Sequence, residues 1–263
     1  MKKILLAAVF VLAMTVVQAQ AFSTGSYVGD VKLKLSGYTT TAEIGNSVDT
    51  WAIFRLTGVY DSDSNTIWGQ STGDNVFGAI WGLYDVNSSD VNAIEAAGGK
   101  FALFDGSAMT NTFWTNLVNN PNAQDGITTS EISILFAGGN LILGGDFVAN
   151  VMEGTNSLTT MIVSSTGLTT PASGSGLGYG NVYSGSSFQT FNSNGQLAGT
   201  DLSFQYDFKA ITDKHEPLLQ GKWGASLEDP ILAGLMPVPE PASLLLLGLG
   251  LFGLGIARRY RKN

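Results

Sequence analysis

The 263-residue chain contains no cysteine, one histidine and only 13% charged residues, and each shortage excludes a class of function. Without cysteine there are no disulfides, no thiolate nucleophiles and no cysteine metal sites. With His215 as the sole histidine, a zinc site lacks nitrogen and sulfur ligands. We therefore expect a fold stabilised by packing and hydrogen bonds and no cofactor, with calcium as the one ion left open, because an acidic surface offers oxygen ligands.

The charges are unevenly distributed along the chain. Six of the 13 basic residues lie in the two terminal segments, whereas all 21 acidic residues lie between Asp30 and Glu240. Residues 22–240 contain 7 basic and 21 acidic residues, so their formal charge is −14. Such a surface repels phosphates, which excludes nucleic acid from the expected partners.

Two long uncharged apolar runs stand out, and the first has the features of a signal peptide. Lys2 and Lys3 precede the apolar residues 4–17, and Ala19 and Ala21 then form the small-x-small pattern that signal peptidase accepts. We predict that residues 1–21 are a signal peptide, with the mature chain starting at residue 22 or 20. A buried N-terminal helix is the alternative.

The second apolar run, residues 244–257, ends in a basic cluster. As a helix, residues 242–257 would span about 24 Å, which is shorter than the roughly 30 Å hydrocarbon core of a bilayer. Arginine side chains that snorkel to the interface, together with local thinning of the bilayer, close this gap. We predict a membrane-spanning sorting helix there. Because basic residues flank both runs on their outer sides, the positive-inside rule keeps both clusters in the cytoplasm and translocates everything between them. The cluster after the second run consists of Arg258, Arg259, Arg261 and Lys262.

A proline-rich motif lies at the start of this second run. The two prolines deny backbone donors and hold the glutamate between them extended, as a peptidase substrate must be. Motif, helix and basic cluster in this order resemble the PEP-CTERM sorting signal of exosortase substrates. The resemblance implies a Gram-negative bacterium, recognition by a membrane-embedded exosortase, removal of the helix, and release or transfer to the cell surface or matrix. The motif residues are Val238, Pro239, Glu240, Pro241, Ala242 and Ser243.

The body between the terminal segments has the pattern of short strands. Alternating or apolar stretches predict strands at residues 27–35, 48–60, 76–86, 100–104, 132–137, 141–152, 158–164 and 202–211, with a hairpin turn at 61–65. Short helices are predicted over residues 89–97 and 111–118, and a long loop over the Gly/Ser-rich residues 173–187. We predict a mainly β protein with a single β-sandwich or jelly-roll body over residues 22–215. A stalk is expected over residues 216–237, followed by the sorting segment 238–263.

Few residues of the body suggest chemistry. Any Ser-His-Asp triad would need His215, and we do not expect hydrolase chemistry through it. Residues 61–65 imitate the opening of a calcium loop, but Thr66 stands where glycine is needed and Thr72 where a bidentate glutamate is needed. A solvated hairpin turn is therefore the favoured interpretation, and we expect no catalytic and no metal-ligating residues.

Together these features predict a secreted, non-enzymatic protein of the cell surface or extracellular matrix, with a role in biofilm or floc formation. Its expected partners are signal peptidase, an exosortase-type peptidase, the membrane before processing, and extracellular polysaccharide. A secreted carbohydrate-active enzyme is one alternative, with Asp201 and Asp207 as candidate acids. A lectin-like module that binds sugar or calcium is another, since tryptophan faces stack on sugars, although most of the five tryptophans should be core.

Overall fold

A computed structural model describes residues 24, 27–44, 47–70, 75–87, 93–119, 129–153, 156–158, 161–165, 173–212 and 215–236. These residues confirm the prediction of a mainly β protein. The strands are β1 (Gly29–Ile44), β2 (Ser47–Asp61), β3 (Thr66–Gly69), β4 (Val76–Asn87), β5 (Ala93–Asp105), β6 (Asn140–Phe147), β7 (Val151–Glu153), β8 (Asn156–Leu158), β9 (Met161–Ser165), β10 (Ser173–Ser184), β11 (Leu202–Ala210) and β12 (Ala225–Leu235). The helices are α1 (Asn111–Val118), α2 (Thr129–Leu135) and α3 (Phe188–Phe191), with 3-10 turns η1 (Leu197–Gly199) and η2 (Pro217–Leu219).

Ten strands form one antiparallel sheet whose order closes on itself. The neighbours around the ring are β1, β12, β11, β10, β6, β5, β4 and β2, and β2 pairs with β1 again. β3 pairs with the last residues of β2 on the side that faces β4, and β9 fills the space between β5 and β10 beyond β6. The described residues therefore form one closed sheet and a separate β7–β8 hairpin. The predicted sandwich of two facing sheets is wrong. Closure gives β1 and β2 partners on both sides, so neither is an open edge.

Alternation along each strand separates two cores. In β2, Ala52, Phe54 and Leu56 belong to an interior cluster with side chains from all eight ring strands. Trp51 and Ile53, on the opposite face, belong to an outer cluster that α1, α2 and η2 cover. Successive side chains of a strand point to opposite faces, so a ring strand contributes to the interior at every second residue except where the register of its ladder shifts.

The loop predicted over residues 173–187 is wrong, because residues 173–184 form β10 in the middle of the sheet. Its glycines face the crowded interior. A Cβ on Gly176 would lie 2.1 Å from Cζ of Tyr206, and one on Gly180 would lie 2.6 Å from Cε1 of Phe101. Glycine in a strand often marks such a close approach, and here the missing side chains leave the space that aromatic rings of neighbouring strands fill.

Two further local predictions are wrong. The helix predicted over residues 89–97 is strand β5 from residue 93 onward, while residues 89–92 lie outside the described ranges. The strand predicted over residues 132–137 is mostly helix α2, which buries Ile132 in the outer cluster. Short apolar runs do not distinguish a strand from a helix by periodicity. Helix α1 is confirmed, and its N-cap Thr110 accepts a hydrogen bond from the Phe113 amide at 3.1 Å.

The stalk predicted over residues 216–237 is also wrong for its second half. Residues 225–235 form β12, which pairs with β1 on one side and β11 on the other. The ladder to β11 skips Pro230, which has no amide hydrogen to donate. Beyond the strand, the Met236 amide donates to the Thr190 carbonyl at 2.8 Å, so the chain is held to the last described residue.

The close contact between β6 and β10 gives a first prediction. A Cβ on Gly145 would lie 2.1 Å from the Asn181 carbonyl oxygen and 2.3 Å from Cζ of Phe101. Because the backbone itself must move, we expect Gly145→Ala to lower the free energy of unfolding by about 2 kcal/mol in urea denaturation. Gly69→Ala is the matched control, since its Cβ would meet only Thr66, at 3.7 Å, and should change stability by less than about 0.5 kcal/mol. Equal losses in the two variants would contradict this packing.

Candidate functional site

The two ends of the body lie side by side. Gly29, the first residue of β1, pairs with Leu235, the last residue of β12. Antiparallel partners are only about 5 Å apart, so the chain enters and leaves the sheet at one end, which we call the terminal end. At the opposite end, which we call the distal end, Thr39 pairs with Ala225.

The residues predicted to direct sorting lie outside the described residues, and their individual roles stay predictions. The last described residue is Met236, so the motif follows β12 directly at the terminal end. The residues concerned are Ala19, Ala21, Val238, Pro239, Glu240, Pro241, Ala242, Ser243, Arg258, Arg259, Arg261 and Lys262.

His215 lies in the distal connection between β11 and β12, where it forms an isolated bridge with Thr212. Its Nε2 lies 3.1 Å from Oγ of Ser226 and 3.9 Å from Oε1 of Glu216. A catalytic triad needs the acid at Nδ1, so that Nε2 alone faces the serine. Here the acid and the serine approach the same nitrogen, and Ser226 Oγ donates to the Lys209 carbonyl at 3.3 Å. This histidine–serine pair does not have the arrangement of a triad.

The spacing Gly-x-Ser-x-Gly, typical of serine hydrolases, occurs once in the chain, at residues 69–73. In hydrolases this motif forms a sharp turn from a strand into a helix, which exposes the serine. Here Gly69 ends β3, and the next described segment leads into β4, so the motif lies between two strands that both run antiparallel to β2. Residues 71–74 lie outside the described ranges. The flanking topology is that of a strand-to-strand connection.

The calcium-like residues 61–65 form the predicted hairpin turn between β2 and β3. The Asp61 carboxylate accepts hydrogen bonds from the Asp63 amide at 3.0 Å and from the Asn65 amide at 2.7 Å. The Asn65 side chain donates a third, at 2.9 Å, and holds the pKa of Asp61 below its ordinary value. The carboxylate is thus engaged by its own turn. Among the described residues, no three acidic or histidine side chains are grouped closely enough to hold a metal ion.

The candidate acids Asp201 and Asp207 do not face each other. Asp201 is 2% exposed, and its carboxylate accepts hydrogen bonds from the amides of Val182 and Asn194, both at 2.8 Å. Asp207 is exposed and lies six residues further along β11. At about 3.3 Å per residue the two are roughly 20 Å apart, beyond the 5–9.5 Å of glycosidase pairs. Asp201 therefore organises the fold around β10.

The tryptophans are mainly core residues, as predicted. Trp51, Trp81 and Trp223 are buried in the outer cluster and Trp68 in the interior cluster. Trp114 on α1 is partly buried and stacks on Phe77, with ring centroids 5.3 Å apart and an interplanar angle of 5°. The indole faces are therefore used largely for packing.

The sequence did not indicate a cavity, but the interior of the closed sheet contains one. About 40 Å³ of it is open to the centre of a water-sized molecule, and the empty space of about 540 Å³ between its lining residues includes open solvent. β1, β2, β4, β11 and β12 line it, from the middle of the sheet towards the distal end. The Tyr206 phenol lies at this cavity, and burial raises its pKa well above the ordinary value, so the hydroxyl is neutral at physiological pH. Other lining residues are Leu35, Ala52, Phe54, Ile80, Leu83 and Leu227.

Comparison with known proteins locates the sorting signal. Residues 237–262 match the family model of the PEP-CTERM protein-sorting motif. No curated protein and no solved structure matches the chain. Within the described residues, every helix is too short or too polar to cross a bilayer. The chain therefore carries a PEP-CTERM sorting signal that begins one residue after the last described one, which indicates a secreted protein targeted to exosortase.

Proposed function

We propose that this protein is a non-enzymatic component of the cell surface or extracellular matrix of a Gram-negative bacterium. Exosortase-type sorting delivers it there, it supports biofilm or floc formation, and it needs no cofactor. The observation that carries the proposal is the position of the sorting motif, which directly follows β12 at the end of the sheet where β1 begins.

This position suits a body that is attached to one membrane by both ends during export. The signal peptide precedes β1 and the sorting helix follows β12, and both belong in the same bilayer. With the termini at one end, neither connection has to run along the body. With the termini at opposite ends, one connection would have to cover the length of β12, about 35 Å for eleven residues.

Processing at the two predicted sites leaves the folded body intact. Removal of residues 1–21 leaves several residues before Gly29, and cleavage near Pro239 to Pro241 lies beyond Leu235. Every described strand is retained in the product. The formal charge of −14 over residues 22–240 keeps the released body soluble and repels anionic polymers unless a cation bridges them.

Two of the described acids and the histidine support a structural role. Asp201 and Asp61 bind backbone amides of their own surroundings, and His215 has both partners at one nitrogen. Groups engaged in this way are not poised for proton transfer or nucleophilic activation. We therefore propose that the body acts by adhesion to matrix polymers.

Translocation of the body is tested with a reporter inserted in the exposed turn between Ser62 and Asp63. Alkaline phosphatase needs an oxidising compartment to form its disulfides, so we expect activity in the full chain and its loss when residues 1–21 are deleted. A cytosolic reporter at the same site should behave in the opposite way. Phosphatase activity that is absent from the full chain, with the cytosolic reporter active, would contradict export.

A hydrolysis screen with a glycan array on the purified protein tests the non-enzymatic role. We expect glycan retention without turnover. Turnover that disappears when a single carboxylate is replaced would overturn the proposal in favour of a carbohydrate-active enzyme. The result is independent of the reporter experiment, so the two parts of the proposal fail separately.

A further inference from the structure

We propose that the cavity inside the closed sheet binds a small, uncharged, mainly apolar molecule, on the order of one aromatic ring or a short alkyl chain. This inference concerns the body alone and holds whichever surface the sorting signal delivers it to.

The number of strands sets the scale of the interior. A closed sheet of eight strands is just wide enough to be filled by side chains or to hold one small ligand. Here the phenylalanine rings of Phe101, Phe147 and Phe204 pack together, with centroids 4.6 to 5.5 Å apart. Phe204 also lines the cavity, so this ring cluster forms its floor. Towards the distal end, the side chains that the structure describes leave part of the interior unfilled.

The walls determine the chemistry of the ligand. Leucine, isoleucine and phenylalanine supply half of the lining residues, and Ala52 is a small residue that is only 4% exposed. The polar uncharged residues of the lining are Thr39, Thr50, Gln205 and Tyr206. The lining carboxylate, Glu228, is exposed to solvent. A charged ligand would lose its hydration without an opposite buried charge, whereas a neutral apolar ligand gains by leaving water.

The position of the cavity makes it accessible in the sorted protein. The lining residues of β1 and β2 that are furthest from the terminal end are Thr39 and Thr50. The sorting motif leaves from the terminal end. The cavity therefore lies on the side of the sheet that faces away from the attachment point.

Benzene and benzoate are the probes, because they differ in charge and share the ring. The purified full chain is kept in phosphatidylcholine nanodiscs for every sample, and thermal unfolding is followed by circular dichroism. At ten times its Kd, benzene should raise Tm by about 4 °C, and benzoate should leave Tm unchanged. A shift with benzoate equal to that with benzene would overturn the choice of a neutral ligand.

Three variants locate the binding. Ala52→Leu places three extra carbons in the cavity and should abolish the benzene shift, while Lys32→Leu, on the exposed face of β1, should retain it. Leu83→Ala enlarges the cavity and should admit p-xylene in addition, which keeps the proposal testable if Ala52→Leu does not fold. The same benzene shift in the wild type and Ala52→Leu would overturn the proposal, as would no shift in either the wild type or Leu83→Ala.

Discussion

Replacing Pro239, Glu240 and Pro241 together with alanine should leave the chain in the membrane in an unprocessed, larger form. The family match places these residues inside the sorting motif, next to the predicted helix. Alanine removes the carboxylate and both ring constraints, so the peptidase loses its side-chain contacts and the extended backbone. Each lost 1.4 kcal/mol of transition-state binding costs about tenfold in rate, so processing should fall by an order of magnitude or more.

Fractionation of cells followed by immunoblotting against the body measures this result. The wild type should appear at the surface or in the medium, shortened by the segment after the motif. Glu228→Ala is the matched control, because it removes an exposed carboxylate from β12 and leaves the motif intact. A triple variant with wild-type size and wild-type surface abundance would contradict sorting through this motif, even if export itself is confirmed by the reporter.

The C-terminal sorting signal was readable from the sequence because its determinants are local. Motif, apolar run and basic cluster follow one another within 26 residues, and the family match covers residues 237–262. Recognition by a peptidase requires an unfolded, contiguous stretch, so its determinants must lie in sequence order. Alternation in β1 and β2 is equally local, which is why those strands were predicted.

The remaining errors have a common physical cause, which is contact between distant parts of the chain. Residues 173–184 have the glycine content of a loop, but β10 needs those glycines because rings such as Tyr206 occupy the space. Pro230 indicates a break, but it lies where the ladder to β11 is interrupted. In both cases the sequence pattern reflects the neighbouring strand and not the local chain.

Closure of the sheet was not predictable for the same reason. A sandwich and a closed ring both require alternating strands, and they differ only in which strands pair. The decisive pairings join β1 to β12, with Gly29 opposite Leu235, and β1 to β2, with Val31 opposite Asp61. The cavity follows from closure, since its walls come from strands as distant as Leu35 and Leu227. No local pattern marks it.

Asp201 shows how an apparent catalytic group can be a structural one. It lies just before β11 at the terminal end, and its two oxygens accept hydrogen bonds from the amides of Val182 in β10 and Asn194 in the loop after α3. Its own amide donates to the Gly180 carbonyl at 3.1 Å. Asn194 has a positive φ of 51°, a conformation that costs energy and is maintained by such contacts. One carboxylate thus fixes the connection from β10 to β11.

Asp201→Ala should therefore be among the most destabilising single substitutions in the body. It leaves two amides without an acceptor at a site that is 2% exposed, and each such donor costs about 1–3 kcal/mol. We expect a loss of about 4 kcal/mol, or roughly 10 °C in Tm, by urea and thermal denaturation. Asp201→Asn retains one acceptor oxygen and should lose about half as much, whereas Asp207→Ala, which removes an exposed carboxylate from β11, should lose less than about 0.5 kcal/mol. If Asp201→Ala and Asp207→Ala were equally stable, the buried carboxylate would not be holding the connection, and its isolation from water would need another explanation, such as a role in binding.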